Sequence, residues 1–171
     1  MGTGPGGGGA RDAWGEFWRV TGESAAHAAG GAQEGALRRF WRGSLGGRPA
    51  RGRLPDPACG HGAVSGVVSD LCRDAGLPLP SLVGADGAAT AAMSYRSRFA
   101  GGCVVVADSR RLPFPDGAFA LVASQFGIEY GGVAAVGEAA RLVASGGRLA
   151  AVLHLRGGAI HRECEASLAA M

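Results

Sequence analysis

Residues 56–62 have the sequence Asp56-Pro57-Ala58-Cys59-Gly60-His61-Gly62, a tight turn of small residues that follows a short apolar stretch. Apolar side chains then recur at helical spacing, which predicts an amphipathic helix carrying Val64, Val67, Val68, Leu71 and Cys72. A strand that ends in an acid, a glycine turn and a helix together form the nucleotide cradle of doubly wound α/β domains. Glycines let a ligand approach the backbone, and the first turn of the helix offers free N–H groups. The stretch therefore predicts a ligand-binding turn in an α/β fold.

Two later apolar runs also end in acids. Residues 81–86 and 103–108 predict the second and third strands, and continuous apolar runs of this kind are typical of strands buried on both faces of a parallel sheet. Residues 88–99 predict the helix between them. The acid that ends the second strand of such domains accepts hydrogen bonds from ribose hydroxyls, which predicts this role for Asp86.

The most specific segment is ADSRRLPFPDGAFALV, residues 107–122. It resembles the signature D-x-x-x-L-P-F-x-D-x-x-F-D-x-V of the small-molecule methyltransferases often called type 11. The turn at residues 56–62 resembles motif I, D-x-G/A-x-G-x-G, of the class I S-adenosylmethionine (SAM)-dependent methyltransferases. The run ARLVASGGRL at residues 140–149 resembles their R-x-L-x-P-G-G motif. The resemblance extends from residue 53 to about residue 156, with the motifs in the family's order.

This resemblance implies an α/β fold with a doubly wound, Rossmann-like, mostly parallel sheet, and SAM bound at the carboxyl ends of the strands. Gly60 and Gly62 would line the methionine end of SAM, Asp86 its ribose and Asp108 its adenine amino group, with Leu112 packed beside the adenine. The cofactor-binding residues that it implies are Asp56, Ala58, Gly60, Gly62, Asp86, Asp108, Ser109, Leu112 and Ser124. No metal site is predicted, because the four cysteines are scattered without a C-x-x-C pair.

The chemistry of methyl transfer suggests where catalytic residues would lie. A sulfonium methyl group is already activated, so in-line attack needs mainly proximity and orientation. If a base is used, the candidates by position are His154, at the carboxyl end of strand five, and Glu129, after strand four. The acid that the family carries after Phe119 is Ala120 here, so a non-catalytic or impaired SAM-binding protein is an alternative. An NAD(P)-binding oxidoreductase is less favoured, because Ser65 stands where the dinucleotide motif has its third glycine.

Composition, and the absence of the motifs of nucleic-acid and protein methylation, restrict the class of molecule that the protein is expected to bind. The 171 residues are 47% hydrophobic, which suits one globular domain, and a net charge of +3 is too small to indicate nucleic-acid binding. The exit of strand four has neither the N/D-P-P-Y motif of base and glutamine methylation nor a Pro-Cys nucleophile, so we expect a small-molecule acceptor. The cysteine usage fits a cytoplasmic protein, and no apolar run approaches the roughly 20 residues of a membrane helix.

The sequence predicts three regions: a flexible tail at residues 1–10, a helical lid and linker at residues 11–52, and the SAM-binding domain at residues 53–171. The lid carries two aromatic clusters, Trp14, Phe17 and Trp18, and then Leu37, Phe40 and Trp41. After an apolar fifth strand at residues 148–155, too few residues remain for the two further strands of the family. We therefore expect a truncated form that lacks the last strands and self-associates through the edge of strand five.

Overall fold

The computed structural model describes residues 8–21, 32–45 and 52–158. Its helices are α1 (Gly8–Thr21), α2 (Ala32–Leu45), α3 (Ala63–Asp74), α4 (Ala89–Arg98) and α5 (Gly132–Arg141). Its strands are β1 (Arg53–Pro57), β2 (Ser81–Asp86), β3 (Cys103–Val106), β4 (Phe119–Gln125) and β5 (Val143–Val152). A 3₁₀ helix, Ile128–Gly131, lies between β4 and α5. Residues 1–7 of the predicted tail, residues 22–31 and 46–51 of the predicted lid and linker, and the segment from residue 159 onward lie outside the described residues.

The strands of the described residues pair in parallel: β1 with β2, β2 with β3, and β4 with β5. β4 lies beside β1, and the Ser124 hydroxyl of β4 donates a hydrogen bond of 2.8 Å to the Pro57 carbonyl oxygen. The chain thus runs outward from β1 to β3 and returns to β4 and β5 on the other side of β1. This reversal opens a crevice at the carboxyl ends of β1 and β4, and it confirms the predicted doubly wound α/β fold.

β1 forms a regular strand although it contains Pro55 and Pro57, which have no N–H group. The Gly52 carbonyl oxygen accepts a hydrogen bond of 2.9 Å from the Ser81 amide, so the alternating backbone directs the N–H groups of residues 54 and 56 toward β2. Both prolines therefore present their nitrogens to β4, and β1 still pairs with β2 over its whole length. Because the two prolines have no N–H groups to donate to β4, the hydrogen-bond ladder is interrupted between β1 and β4. The strands therefore form a three-stranded sheet, β1 to β3, and a two-stranded sheet, β4 and β5.

The apolar core lies on both faces of the sheet. One buried cluster joins α2, α3 and α4 to the sheet through Trp41, Leu54, Val64, Val68, Leu71, Leu82 and Tyr95. The other joins α5 and the loop before β4 to the opposite face through Ala85, Leu112, Phe119, Val122, Ile128, Ala139 and Leu142. The periodic apolar positions that predicted α3 thus pack on one face of that helix only, as an amphipathic helix requires.

Two sequence predictions, about the burial of β3 and the start of β5, are wrong in detail. The sequence predicts that β3 is buried on both faces, but Cys103 is exposed and Val106 is 60% exposed, because β3 lies at the edge of its sheet. β5 begins at Val143 rather than at residue 148, and the glycines at 146–147 fall at a register shift inside the strand. Self-association through the edge of β5 stays a prediction.

The two N-terminal helices have different neighbours. On α2, Trp41 is fully buried, and its indole N–H donates a hydrogen bond of 2.8 Å to Gln125 Oε1 at the end of β4. α1 packs against α4, where the Thr90 hydroxyl donates a 3.3 Å hydrogen bond to the Gly15 carbonyl oxygen. The helix begins at Gly8, so residues 8–10 belong to α1 and not to the predicted tail. Trp41 of the second aromatic cluster is therefore core, whereas Phe40 is exposed, and the first cluster lies near the turn after β1.

Candidate functional site

The turn after β1 is held in a backbone conformation that favours glycine. The φ angles of Ala58, Gly60 and Gly62 are 55°, 52° and 82°. A Cβ atom on Gly62 would overlap the Phe99 ring and approach Tyr95, so this glycine is required by packing against α4. Gly127, after β4, lies so close to Ala58 that a Cβ there would come within 2.5 Å of the Ala58 carbonyl oxygen. The turn and the exit of β4 therefore form the two adjoining walls of the crevice.

Asp86, at the carboxyl end of β2, ties the turn to the next helix. Its Oδ2 accepts a hydrogen bond of 2.8 Å from the Gly60 amide, and its Oδ1 accepts one of 2.9 Å from the Ala88 amide at the start of α4. The carboxyl group is buried, and burial raises its pKa, although these two N–H donors oppose the shift. A carboxylate has about four lone-pair sites, so two remain for the ribose hydroxyls predicted by resemblance.

Asp56, in β1, is the most deeply buried acid near the turn, with a side chain that is 2% exposed. An amide hydrogen bond from Ser65, in the first turn of α3, stabilises its charged form. Burial and the charge of Asp86 nevertheless raise the pKa of the Asp56 carboxyl well above its ordinary value. Its Oδ2 is buried and has no hydrogen-bond partner among the described residues. A buried acceptor without a donor is rare in native proteins, and a ligand with a positive or N–H group would satisfy it.

An aromatic side chain of α1 covers the turn. A Cβ atom on Gly60 would lie 2.5 Å from Trp18 Cζ2, so the indole rests directly on the glycine. The same indole stacks on the buried His61 ring, with centroids 4.5 Å apart and an interplanar angle of 29°. The sequence identified Trp18 as part of a lid but did not show that it contacts Gly60. The Trp18 ring of α1 therefore packs directly on the turn between β1 and α3.

The residues predicted for adenine lie in the loop between β3 and β4. The Asp108 carboxylate accepts hydrogen bonds from the Arg110 amide at 2.9 Å and from the Arg110 guanidinium, with a shortest distance of 2.6 Å. Leu112 is buried, and its amide donates a hydrogen bond of 2.6 Å to Glu138 Oε1. Ser109 lies against Gly131 at the start of α5. The sequence did not predict that Arg110 would hold the proposed adenine acid.

The two candidate bases meet at the exits of β4 and β5. His154 Nδ1 lies 2.8 Å from Glu129 Oε1, and the His154 backbone N–H donates a 3.1 Å hydrogen bond to the same oxygen. The Phe126 ring stacks on the imidazole at a centroid distance of 4.4 Å, and the backbone of Phe126 has a φ of 54°. The Tyr130 ring lies 6.0 Å from the imidazole and 4.8 Å from Trp14 of α1. The sequence named both bases separately, and the structure places them in contact inside an aromatic cluster.

A family comparison agrees with this geometry. A family model described as a methyltransferase domain matches residues 55–151, which include the glycine turn, both acid-ended strands and β4. The chain belongs to this methyltransferase family. The predicted resemblance is confirmed. No curated protein matches the sequence.

Solved structures share the fold of this chain at low sequence identity. PH0226 protein from Pyrococcus horikoshii is 20% identical, with a TM-score of 0.60 over 91% of this chain and 68% of that chain. Geranyl diphosphate C-methyltransferase from Streptomyces coelicolor, in complex with Mg²⁺, geranyl diphosphate and S-adenosyl-L-homocysteine, is 17% identical, with a TM-score of 0.60 over 84% and 64%. YcgJ from Bacillus subtilis is 19% identical, with a TM-score of 0.53 over 65% and 48%. The present chain thus spans 48% of the YcgJ chain.

Two positions of the methyltransferase motifs, Ala120 and Ser124, lie toward opposite ends of β4. Ala120, which replaces the family's acid, is exposed at the amino end of β4, about 16 Å along the strand from Gln125 at the crevice end. Ser124 is fully buried, and its hydroxyl donates to the Pro57 carbonyl oxygen, so it links β4 to β1. The loss of the acid at Ala120 therefore removes nothing from the crevice.

In residues 8–21, 32–45 and 52–158, no helix is both long and apolar enough to cross a membrane. Within the same residues, no three side chains among His, Cys, Asp and Glu gather as a metal site would require.

Proposed function

We propose that the chain transfers a methyl group from SAM to a small-molecule acceptor. The observation that carries this proposal is the buried Asp56 Oδ2, which lacks a hydrogen-bond donor within the described residues and belongs to the strand that leads into the turn at Gly60. The positively charged amino group of the methionine part of SAM supplies the missing donor. The presence of S-adenosyl-L-homocysteine in the Streptomyces coelicolor relative supports the same cofactor, and its geranyl diphosphate supports a small acceptor.

The residues divide along the crevice by their chemistry. Asp56 and the turn at Gly60 hold the amino-acid end, Asp86 shares its remaining lone pairs with the ribose, and Asp108 holds the adenine amino group. The N-terminus of α3 adds a partial positive charge that favours the carboxylate of the methionine part. When bound, SAM supplies an activated methyl group. If the methyl acceptor has to lose a proton, His154 takes it up, because His154 lies at the exit of β5 beside the crevice.

A second candidate is a SAM-binding protein that does not transfer the methyl group. The observation behind it is Ala120, which stands where the family carries an acid. An NAD(P)-dependent oxidoreductase is disfavoured, because Ser65 is buried where the third glycine of that motif would pack and its hydroxyl is 2.7 Å from Tyr95.

Titration of the purified chain with SAM and with NADH, followed by S-adenosylhomocysteine release in a metabolite extract, separates the three candidates. We expect SAM binding, no NADH binding, and release that depends on both chain and extract. Gly137→Ala serves as the matched control, because nothing lies within 4 Å of a Cβ at that helical position. SAM binding without any release would support the second candidate, and NADH binding alone would support the third.

A further inference from the structure

A cavity of about 540 Å³ lies between α3 and α4, at the end of the strands opposite the crevice. Ser81 and Leu82, at the start of β2, and the glycines at 101–102, before β3, form one of its sides. Asp86, at the crevice end of β2, is about 16 Å from Ser81 along the strand. The residues predicted to bind SAM, all of them among the described residues, do not line this cavity. Its volume is within the range of small-molecule sites, about 300–1,000 Å³.

The guanidinium of Arg98, in the last turn of α4, is held at this cavity by three contacts. Its Nη1 donates a hydrogen bond of 3.4 Å to the His61 carbonyl oxygen. A Cβ atom on Gly66 of α3 would lie 3.0 Å from its Nη2, and its Cζ lies 5.4 Å from the centre of the Phe99 ring. The side chain therefore reaches from α4 to α3 instead of capping the carbonyl groups at the end of its own helix.

The charges around the cavity favour an anion. Two guanidinium groups, those of Arg73 and Arg98, line it together with one carboxylate, Asp70. Asp70 is already paired with Arg73 and with Arg38 of α2. Among the described residues, Arg98 has no carboxylate partner. A guanidinium presents its N–H groups as a planar fork, so the donors that Arg98 does not use for His61 remain for the two oxygens of a carboxylate.

The rest of the lining is largely apolar. Leu79, Pro80, Leu82 and Phe99 contribute to the same cavity, and Leu79 is 52% exposed although it is a large apolar residue. A small inorganic anion would leave these side chains in water. A ligand with an apolar body would cover them while its charged group meets Arg98, and pockets that combine apolar walls with a few polar groups are typical of small-molecule sites.

We propose that the cavity between α3 and α4 is a second ligand site, which binds a carboxylic acid with an apolar body. Arg98 recognises the carboxylate, and Leu79 and Phe99 cover the apolar part. A singly charged group matches the one guanidinium that lacks a carboxylate partner within the described residues. The site does not depend on the proposed function, because it shares no residue with the crevice.

NMR titration of the ¹⁵N-labelled 171-residue chain with naphthalene-1-carboxylate tests this site. We expect shifts of the amides of Gly66, Gly101 and Gly102, with or without SAM. Naphthalene-1-carboxamide, which lacks the charge, and acetate, which lacks the apolar body, should each bind at least about tenfold more weakly. Arg98→Gln should weaken binding of the naphthoate by about 10–100-fold. Arg96→Gln is the matched control, because Arg96 is exposed on the same helix and does not line the cavity.

Equal affinity for the carboxylate and the carboxamide, or equal affinity in Arg98→Gln and the wild type, would overturn the anion site. The comparison of the two compounds uses the wild-type chain, so it holds even if the variant does not fold. Tighter binding of 1-naphthyl phosphate would overturn the carboxylate class. Shifts confined to Gly60 and Gly127, or shifts abolished by SAM, would place the compound in the crevice and overturn the second site. A chain that takes up the naphthoate but not SAM would refute the proposed function alone.

Discussion

Replacement of Asp86 by alanine should destabilise the free protein as well as weaken SAM binding. Two buried amides, those of Gly60 and Ala88, lose their acceptors at 2.8 and 2.9 Å. A buried N–H without a partner costs about 1–3 kcal/mol, so two of them cost about 2–6 kcal/mol. The removal of a buried acid offsets part of this cost and leaves a loss of about 2–5 kcal/mol. In a domain of this size that corresponds to a decrease in Tm of roughly 5–15 °C. Urea and thermal unfolding of the ligand-free chain measure it.

The control for this prediction is Asp74→Ala. Asp74 lies at the end of α3 with a side chain that is 55% exposed, 3.4 Å from Arg38, and an exposed ion pair contributes about 0–1 kcal/mol. Asp86→Asn should lie between the two, since an amide keeps one acceptor oxygen. If Asp86→Ala unfolds at the midpoint of the wild type, its carboxylate does not hold the turn to α4, and the reasoning from these two hydrogen bonds is refuted.

Three further substitutions around the turn have distinct expected results. Burial and the Asp86 charge raise the pKa of Asp56, so wild-type stability falls as pH rises from the ordinary aspartate range, about pH 4, through the raised pKa. The stability of Asp56→Asn relative to the wild type, measured by urea unfolding at several pH values, should therefore increase over that range. A difference that stays constant with pH would contradict this prediction. Ala58→Gly should stabilise the chain by about 0.5–1 kcal/mol in the same assay, because glycine adopts a φ of 55° without the steric cost, and a loss of stability would contradict this. Gly62→Val should lower the free energy of unfolding by about 2–6 kcal/mol, because its side chain overlaps Phe99 at a φ of 82°, and a wild-type melting curve by circular dichroism would contradict that.

The sequence predicted the fold because its signals are local. β2 has the predicted bounds, Ser81–Asp86, and the apolar spacing after Gly62 predicted α3, which begins at Ala63. A continuous apolar run, however, does not show where its strand lies in the sheet. β3 has such a run but lies at an edge, so Val106 is exposed. Strand order depends on pairing between distant residues, which a local pattern does not record.

The sequence predicted which residues belong to the site better than it predicted the contacts between them. His154 and Glu129 were inferred only from their places after β5 and β4, and they lie 2.8 Å apart because the carboxyl ends of adjacent parallel strands meet. The direction in which a Cβ atom on a glycine would point depends on the backbone conformation. The sequence therefore could not show that Gly62 faces Tyr95 while Gly60 faces Trp18. The roles of the predicted cofactor residues stay predictions until a ligand is bound.

A calorimetric titration of the 171-residue chain with SAM tests the central claim most directly. The account predicts one SAM per chain, displaced by S-adenosylhomocysteine. Asp56→Asn should weaken the affinity by about 10–100-fold, because it removes a charged hydrogen-bond acceptor worth about 1.5–3 kcal/mol. Gly137→Ala should bind as the wild type does. No binding of SAM to the folded chain, or equal affinity for SAM in Asp56→Asn, would contradict the account.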